Sequence, residues 1–376
     1  MTDPARPLEG SYQVRLRDHD HAPLAVIGQF DELEYTRAIN GRDAHGWGSW
    51  RLVGARSALP VAQCGLDRVF SVRRKPPGGA WRTDFEGLQR KPTSYVEEGD
   101  DVRRYSVEGF DLKHLLKRRH ILPPAGETML TIDDHATDIM RQLVRTQCLA
   151  GYAGARPIPY LSVEDDTHAG EPLRLNFRYT KLSEELELLA GLGCDFDIVW
   201  NGASYAFRVT SPYDGTDRRE GNAVGNDPVV FGLDHANLKN ARWEDDRLEE
   251  VTAVYVVGEG VGAKRRIVER TSLWGADADS PWNRIEGLVD ASSESSLAAL
   301  LWEAEAFLVD NERTLSFTFE ALPTAGCLYG VHWDLGDLVT AYYDDTRYDV
   351  RVVAVTVRVA REGETITPTF HLIRDY

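Results

Sequence analysis

Cysteine is scarce in this chain, and the few cysteines stand far apart. Cys64, Cys148, Cys194 and Cys327 are the four in 376 residues. They form no C-x-x-C pair, which excludes the usual spacing of a zinc site or of a disulfide framework. The pattern predicts buried free thiols in a protein that folds in a reducing cytoplasm.

Long hydrophobic runs are missing as well. No apolar stretch approaches the roughly 18 residues that a membrane span requires. The N-terminal MTDPARPLEGSYQV lacks the hydrophobic segment of a signal peptide. We therefore expect a soluble protein that has no membrane span and is not exported through a cleaved signal.

Positive charge is in deficit. The 43 Lys and Arg residues face 60 Asp and Glu residues, which leaves a net charge of -17. Because phosphate binding needs clustered Lys and Arg, this balance argues against general affinity for nucleic acid. DNA could still pass an acidic surface without adhering to it, although the same composition also suits an ordinary soluble protein.

The segment 254–266, VYVVGEGVGAKRR, has the glycine spacing of a dinucleotide fingerprint at Gly258, Gly260 and Ala263. That fingerprint requires an amphipathic helix after the glycines, and KRRIVERTSLW has no apolar stripe. The acids at the distance expected for a ribose ligand, Asp277 and Asp279, lie in a Pro-containing loop. We predict two strands joined by a Gly-rich hairpin loop, and a nucleotide-binding enzyme remains only a third hypothesis.

Catalytic motifs are also missing, since H-E-x-x-H, G-x-S-x-G and P-loop patterns do not occur. Two clusters combine histidine with aspartate: His19, Asp20 and His21 in one, and Asp134, His135 and Asp138 in the other. We interpret the first as a solvated turn. The second is predicted to lie in the first turn of a helix, where acidic residues are favoured without any function. The sequence thus predicts no enzyme and no catalytic, cofactor-binding or metal-binding residues.

The densest positive run is Lys117, Arg118, Arg119 and His120. It is interpreted as a solvated face or as a salt-bridge partner for the acidic excess. A contact between subunits is the alternative.

Short strands that are separated by turns at regular intervals are predicted at both ends of the chain. The first hundred or so residues predict six or more strands separated by turns. A helix over 131–150 opens with a capping box at Thr131 and Asp134. A strand, a helix and a hairpin with an Asn201-Gly202 turn follow over 173–212, and 215–228 is an exposed loop.

The last part of the chain combines a third helix with a β-rich terminus. In YDVRVVAVTVRVA the apolar phase shifts after Val352, which predicts a bulge or a bend. Pro368 predicts that the last strand is an edge or carries a bulge, and such an edge could pair with a neighbouring subunit.

The predicted fold class is α+β, mostly β, with two β-barrel-like tube modules flanking mixed α/β central domains. The predicted domains are 1–109, a first tube module; 110–180, a helix-containing domain; 181–246, a small α+β domain; and 247–376, a second tube module with an inserted helix at 292–311.

Seven segments in the same order resemble the Gp37-like minor tail proteins of long-tailed phages, which are related in fold to baseplate hubs and to the hub portion of VgrG-type spikes. The segments are LEYTRAINGRDAHGWGSWRL, SVEGFDLKHLLKRRHI, NFRYTKLSEELELLAGLGCDFDI, YDGTDRR, VVFGLDHANLKNARWEDD, YVVGEGVGAKR and HWDLGDLVTAYYDD. Together they span nearly the whole chain.

The resemblance implies a structural hub of a phage tail tip. It implies a homotrimer whose paired β modules form a ring that continues the tail tube, adapts its sixfold symmetry to a threefold tip and surrounds a channel for DNA, which passes without specific binding. The implied partners are further copies of the chain, a distal tail or tail tube protein, a tape measure protein, and spike or fibre proteins. The implied location is the virion tail tip, assembled in the bacterial host cytoplasm.

The alternative is a carbohydrate-binding or cell-wall hydrolase module at the tail tip. It depends on Trp47, Trp50, Trp200 and Trp243, which could line a sugar cleft but more often fill cores. Because the chain ends soon after HLI, we expect receptor binding and wall digestion to belong to other proteins.

Overall fold

The structure is a computed structural model that describes residues 10–40, 47–97, 99, 101–151, 156–272, 282–292, 296–344 and 346–372. Asp277 and Asp279 lie outside these residues. The described part contains 21 strands and three α-helices, which confirms the predicted mostly β, α+β class. No helix in it is long and apolar enough to cross a lipid bilayer.

The first part of the chain consists of strands that alternate buried and exposed side chains. They are β1 (Ser11–Arg17), β2 (Pro23–Ile27), β3 (Glu32–Ala38), β4 (Ser49–Ala55), β5 (Val69–Lys75), β6 (Arg82–Val96) and β7 (Arg103–Asp111). These strands agree with the six strand segments predicted from the sequence.

The central part mixes helices with short strands. It comprises a 3-10 helix (Leu112–Arg118), β8 (Leu130–His135), α1 (Ala136–Cys148), β9 (Leu161–Val163), β10 (Pro172–Phe177), α2 (Leu182–Ala190), β11 (Asp195–Trp200) and β12 (Tyr205–Thr210). The strands form two small sheets, β8–β10 and β9–β12–β11. We call this part the central unit, and Leu143, Leu186 and Phe207 are fully buried in its core.

The last part returns to strands. It comprises β13 (Val230–Phe231), β14 (Leu238–Asp246), β15 (Ala253–Val257), β16 (Ile267–Thr271), β17 (Glu286–Asp290), α3 (Leu297–Asp310), β18 (Thr314–Ala321), β19 (Leu338–Tyr343), β20 (Thr346–Ala360) and β21 (Gly363–Leu372), with 3-10 turns at Leu233–His235 and Gly262–Lys264. β15, β16 and β17 form a separate sheet that packs on α3.

One continuous sheet of 13 strands unites the two ends of the chain, in the order β14-β18-β21-β20-β3-β4-β7-β6-β5-β1-β2, with β19 and β13 attached beside β20. The predicted pair of barrel-like modules is therefore not two separate closed barrels. The long β20 makes this join: its first half pairs with β19, and residues 354–359 pair with β3. The predicted domain limits stay a prediction.

The predicted bulge in β20 is confirmed. The register with β21 shifts between Val352 and Ala354, at the point where the apolar phase changes. An extra residue lets Val352, Val353 and Val355 all be buried, because the strand turns its faces as it moves from one partner to the next.

The expectation that the last strand is an edge is wrong. β21 lies between β18 and β20, so both of its sides are occupied. The ladder with β18 is interrupted between Thr369 and Ile366, next to Pro368, but it keeps the same register on both sides, so this ladder has no bulge at the proline.

The predicted start of the first helix is also wrong. Thr131 and Asp134 lie in β8, and α1 begins only at Ala136. The Thr131 hydroxyl donates to Asn176 Oδ1 at 2.7 Å on the neighbouring β10 instead of capping a helix. Pairing between strands thus overrides the local capping pattern, while the helix face with Ile139, Met140, Leu143 and Val144 is buried as predicted.

Two local predictions are confirmed. β15 and β16 are antiparallel partners, so the glycines at 258–262 join two strands. The next regular element after them is a short 3-10 turn and then β16, not an α-helix. Asn201 and Gly202 lie in the turn of the β11–β12 hairpin.

The four cysteines are free thiols, as predicted. Three of them are buried and Cys64 is half-buried. Burial raises the pKa of Cys148, Cys194 and Cys327 to about 12, so these thiols are protonated and unreactive at neutral pH.

Candidate functional site: the charged seam and the free strand edges

A polar cavity of about 330 Å³ separates the main sheet from the central unit. A second cavity of about 240 Å³ shares Arg37, Lys113, Asp197 and Arg208 with it. We call the charged side chains around these two cavities the seam. On the side of the main sheet these residues come mainly from β3, β6 and the end of β7, and on the side of the central unit they come from the 3-10 helix and the β11–β12 hairpin, so the seam forms only when the central unit packs on the sheet.

Lys113 is the buried cation of the seam. It is 4% exposed, and its Nζ donates to the Ala38 carbonyl at 2.8 Å and lies 3.4 Å from Asp111 Oδ2. Burial opposes the charge on Lys113, but the carboxylates of Asp111 and Asp197 outweigh it and raise its pKa. Burial also disfavours the charged form of Asp111 and so raises its pKa, and the Lys113 charge only partly offsets this rise. The pair ties the end of β7 to the end of β3.

Asn40 and Asp195 make the second link across the seam. The Asn40 backbone N–H donates to Asp195 Oδ1 at 2.8 Å, and its side-chain amide donates to the Phe196 carbonyl at 2.9 Å. Asn40 is 1% exposed. Burial raises the pKa of Asp195 to about 6, and the Lys113 charge opposes the rise.

Asp195→Asn is expected to flatten the pH dependence of stability. Because the folded-state pKa of about 6 lies above the ordinary value of 3.8, the cost of ionising Asp195 is absent below about pH 4 and complete above about pH 6. Asparagine keeps an acceptor for Asn40 without this cost, so the free energy of unfolding at pH 7.5 should rise by on the order of 1 kcal/mol. Urea unfolding at pH 4, 5, 6 and 7.5 measures it.

Asp133→Asn is the matched control, since the Asp133 side chain is 71% exposed. It should follow the wild-type profile. An Asp195→Asn profile that falls between pH 4 and 6 as steeply as the wild-type profile would contradict the assignment.

A third group of charges joins the two ends of the chain around Asp84, which is fully buried. Tyr35 donates to Asp84 Oδ2 at 2.6 Å and Arg82 Nη2 donates to Oδ1 at 2.8 Å. Arg37 donates to Asp334 Oδ1 at 2.8 Å, in the loop before β19. Each charge here is matched by another, so the arrangement holds parts of the chain together and leaves no nucleophile paired with a base.

These buried charges were missed in the sequence analysis. A signal for one such charge exists at Arg74 in β5, which has the same alternation phase as the buried Phe70 and Val72. A charge at the inward phase of a strand predicts a buried partner. The identity of that partner has no local signal.

The His19–His21 cluster is only partly the solvated turn that was predicted. His19 and Asp20 are exposed in the turn between β1 and β2. His21 is instead enclosed: its Nε2 lies 2.9 Å from Glu86 Oε1, and its ring stacks on Trp200 at 4.3 Å. Trp200 belongs to the central unit, so this contact is another link across the seam.

Within the basic run, Arg118 has the predicted salt-bridge role, and Lys117 and His120 are exposed, as predicted for a solvated face. Arg118 donates to both carboxylate oxygens of Asp67 at 2.8 Å. Lys117 lies over the Trp47 ring at 4.2 Å, and Arg119 donates to the Arg156 carbonyl.

The four tryptophans on which the sugar-cleft alternative depends pack into or against the two large cores. Trp50 stacks on Phe70 at 3.8 Å and Trp243 stacks on Tyr348 at 4.5 Å in the sheet core. Trp47 and Trp200 pack against the core of the central unit. Their placement favours a packing role over a sugar cleft.

The main sheet ends in two unlike strands, each with one partner among the described strands. β2 pairs with β1 alone and consists of PLAVI, without charge, and its Val26 is 62% exposed. β14 pairs with β18 alone, carries several charges and has a register shift near Asn240. Charged side chains are typical protection of an edge against pairing, and β2 has none, although its ladder with β1 also shifts register, between Leu16 and Arg17.

Comparison with known proteins places this fold among tail proteins. The sequence matches the family described as Siphovirus ReqiPepy6 Gp37-like protein over residues 13–370. No curated protein sequence matched the chain.

Solved structures give the same picture at low identity. A tail protein from Neisseria meningitidis MC58 aligns with a TM-score of 0.58 at 16% identity, over 96% of this chain and 97% of that one. The 43 kDa tail protein of prophage MuSo2 from Shewanella oneidensis aligns with a TM-score of 0.60 at 13% identity, over 95% and 98%. A Francisella PdpA-VgrG complex aligns with a TM-score of 0.51 at 10% identity, over 98% of this chain and 59% of that one.

The resemblance predicted from the seven sequence segments is thereby confirmed, and the matched family is consistent with the prediction that this chain is not an enzyme. The match covers nearly all of the sequence. This chain belongs to the family of siphovirus ReqiPepy6 Gp37-like proteins.

Proposed function

We propose that the protein is the structural hub of a phage tail tip, where three copies close into a ring that continues the tail tube. The ring adapts the sixfold tube to a threefold tip and surrounds a channel for DNA. Its partners are further copies of this chain, a distal tail or tail tube protein, a tape measure protein, and spike or fibre proteins. Its place is the virion tail tip, after assembly in the bacterial host cytoplasm.

The observation that carries this proposal is the open 13-stranded sheet built from both ends of the chain. A sheet of this size that does not close on itself leaves two end strands, each of which must be covered or protected, and in a ring with cyclic symmetry a neighbouring copy can cover such an end. The β3–β20 junction places the first and last strands of the chain in one sheet, so each copy contributes two β regions to the ring.

The two ends of the sheet are suited to different roles. β2 presents uncharged backbone and the exposed Val26, which favours contact with a neighbour. In β14 the register shifts between Lys239 and Arg242, and Asn240 has a φ of 56°, which distorts the outer strand. We assign β2 to the contact between subunits and β14 to a protected edge.

The charge balance supports a passage for DNA. With a net charge of -17, the chain repels phosphates on average. A channel wall with this charge would let DNA slide without specific binding, because adhesion requires phosphate contacts from clustered Lys and Arg.

Val26→Lys is expected to weaken the assembly of this chain. A charge at the β2 contact would have to be desolvated against a neighbour, which we expect to cost about 1.4 kcal/mol per contact, roughly tenfold in affinity. Light scattering and mass photometry over a concentration series should show trimers for the wild type and a shift towards monomers for Val26→Lys.

Val224→Lys makes the same change at a valine that is 73% exposed in the 215–228 loop, and it should assemble like the wild type. A chain that stays monomeric at every concentration, alone or with its tail tube protein, would refute the ring. A trimer that Val26→Lys leaves intact would refute the assignment of β2.

A further inference from the structure

Four side chains that sequence analysis could not connect meet at one end of the central unit. Asp134 and His135 end β8, Asp138 lies in the first turn of α1, and His168 comes from the loop that precedes β10. One nitrogen or oxygen of each side chain lies within 4.8 Å of the corresponding atoms of the other three. From the sequence, Asp134, His135 and Asp138 were predicted to lie in the first turn of a helix. His168 is 30 positions beyond Asp138, so no local pattern connects it with them.

His168 is held in place by its backbone. Its N–H donates to Asp138 Oδ2 at 2.9 Å, and its φ of 52° lies in the left-handed region that few non-glycine residues adopt. This conformation puts the His168 Nδ1 2.9 Å from Asp138 Oδ2 and 4.0 Å from Asp134 Oδ1. The ring itself is 69% exposed, so burial does not account for its position.

His135 supplies an independent observation. The His135 side chain is 37% exposed, but its Nδ1 atom is enclosed and makes no hydrogen bond with the described residues, and it lies 3.5 Å from Asp134 Oδ1. The rings of His135 and His168 are 5.8 Å apart. A buried nitrogen without a partner is costly, and a bound cation between the two rings would be its partner.

The charge of the cluster also favours a cation. The two carboxylates face one arginine, because Arg141 Nη1 donates to Asp138 Oδ1 at 2.9 Å and both side chains are 1% exposed. With neutral imidazoles, one negative charge remains. Oδ1 of Asp138 accepts from Arg141 and from the Thr167 N–H, whereas Oδ2 accepts from the His168 N–H and lies 2.9 Å from the His168 Nδ1.

We propose that Asp134, His135, Asp138 and His168 form a binding site for one divalent transition metal ion of the zinc class. Two imidazole nitrogens and two carboxylate oxygens suit Zn²⁺ in tetrahedral coordination better than Ca²⁺ or Mg²⁺, which prefer six or more oxygens. With Zn–N and Zn–O bonds of about 2.0 to 2.2 Å the donors lie about 3.4 Å apart, so small shifts of exposed side chains complete the site.

The bound ion would fasten the loop before β10 to β8 and α1. All four positions are filled by protein ligands, which is typical of a structural site and not of a catalytic one. The site therefore fits a protein whose work is mechanical, and it does not depend on how the chain assembles.

The test uses the full chain after treatment with EDTA. Calorimetric titration with ZnCl₂ should show one ion per chain, and Co²⁺ should give the visible absorption bands of tetrahedral coordination. His168→Asn should lower the Zn²⁺ affinity at least about tenfold, and asparagine tolerates the left-handed backbone, so the loop keeps its conformation. His135→Gln should have the same effect.

His235→Asn is the control, because His235 is exposed and outside the cluster. It should bind Zn²⁺ like the wild type, and Zn²⁺ should raise the melting temperature of both proteins but not that of His168→Asn. Failure of the wild type to bind one equivalent, or unchanged affinity in His168→Asn, would overturn the proposal. Circular dichroism of the EDTA-treated variants tests whether they are folded. If His168→Asn is unfolded, its loss of binding is not counted, and the Zn²⁺ affinity of His135→Gln decides the test.

Discussion

Gly109→Ala is expected to lower the free energy of unfolding more than any other substitution that adds a single methyl group to the main sheet. Gly109 lies in β7 between β4 and β6, and an added Cβ would overlap the Leu88 carbonyl oxygen and approach Trp50 Nε1 to 2.7 Å. Neither can retreat, because Leu88 belongs to the paired strand and the Trp50 ring is stacked on Phe70 at 3.8 Å. Overpacking of this kind typically costs 1–3 kcal/mol, and with a backbone atom in the way we expect about 3 kcal/mol or more.

Urea unfolding followed by circular dichroism measures the loss. Gly54→Ala on the adjacent β4 is the control, since its Cβ would meet Leu59 at 3.4 Å, an ordinary contact. It should stay within about 1 kcal/mol of the wild type. Equal stability of Gly109→Ala and Gly54→Ala would show that the Trp50 ring does not lie against β7.

Arg74→Met is expected to have an effect of similar size for an electrostatic reason. Arg74 is 1% exposed, and it donates from Nε to Glu364 Oε1 at 2.8 Å and from Nη1 to the Tyr329 carbonyl at 2.9 Å. It therefore joins β5 to β21 and to the loop before β19. Methionine has a similar length but no charge, so the Glu364 carboxylate, 6% exposed, would stay buried without its cation.

Removing one partner of a buried ion pair costs about 3–5 kcal/mol, and we expect Arg74→Met to fall in this range. Arg73→Met is the control on the same strand: Arg73 is half-buried over Trp81, and its loss should cost less than about 1 kcal/mol. Thermal and urea unfolding at neutral pH measure both.

A second replacement separates the charge from the packing. Arg74→Met combined with Glu364→Leu should recover part of the lost stability, because the unpaired carboxylate is then gone as well. A double variant as unstable as the sum of the two single variants would mean that Arg74 acts through packing and not through its pairing with Glu364.

The Arg74 prediction concerns a contact that joins the two ends of the chain, and this matters for the proposed ring. The strands from the two ends of the chain share the β3–β20 ladder and the Arg74–Glu364 pair. Variants that loosen these joints should also lose assembly, whereas Val26→Lys should lose assembly with unchanged stability. The two classes of variant thus distinguish a folding defect from an interface defect.

Local patterns predicted much of the secondary structure. The short runs separated by turns in the first hundred or so residues predicted six strand segments, one of which contains both β2 and β3, and the shift of apolar phase at Val352 predicted the bulge in β20. The glycines at 258–262 were correctly interpreted as a hairpin connection. These features depend on residues within a few positions of one another.

The failures have a common cause. The Thr131 capping pattern was overridden by pairing of β8 with β10, and Pro368 did not mark an edge because β18 arrives from elsewhere in the chain to pair with β21. The candidate site could not be predicted for the same reason. No local pattern marks Lys113, Asp195 or Asn40 in the sequence, and their contacts form only when the central unit packs on the main sheet.

The sequence alone determined the mostly β class, the order of strands and helices, the acidic charge and the family, because composition, periodicity and motif order are properties of the chain read from one end to the other. Only the tertiary structure decided that the two β regions share one open sheet, that Arg74 meets Glu364, and that His168 meets Asp138. Arg74 and Glu364 are 290 positions apart in the sequence, and Asp138 and His168 are 30 positions apart. Burial and charge pairing at such distances follow from how the elements pack, which no stretch of neighbouring residues encodes.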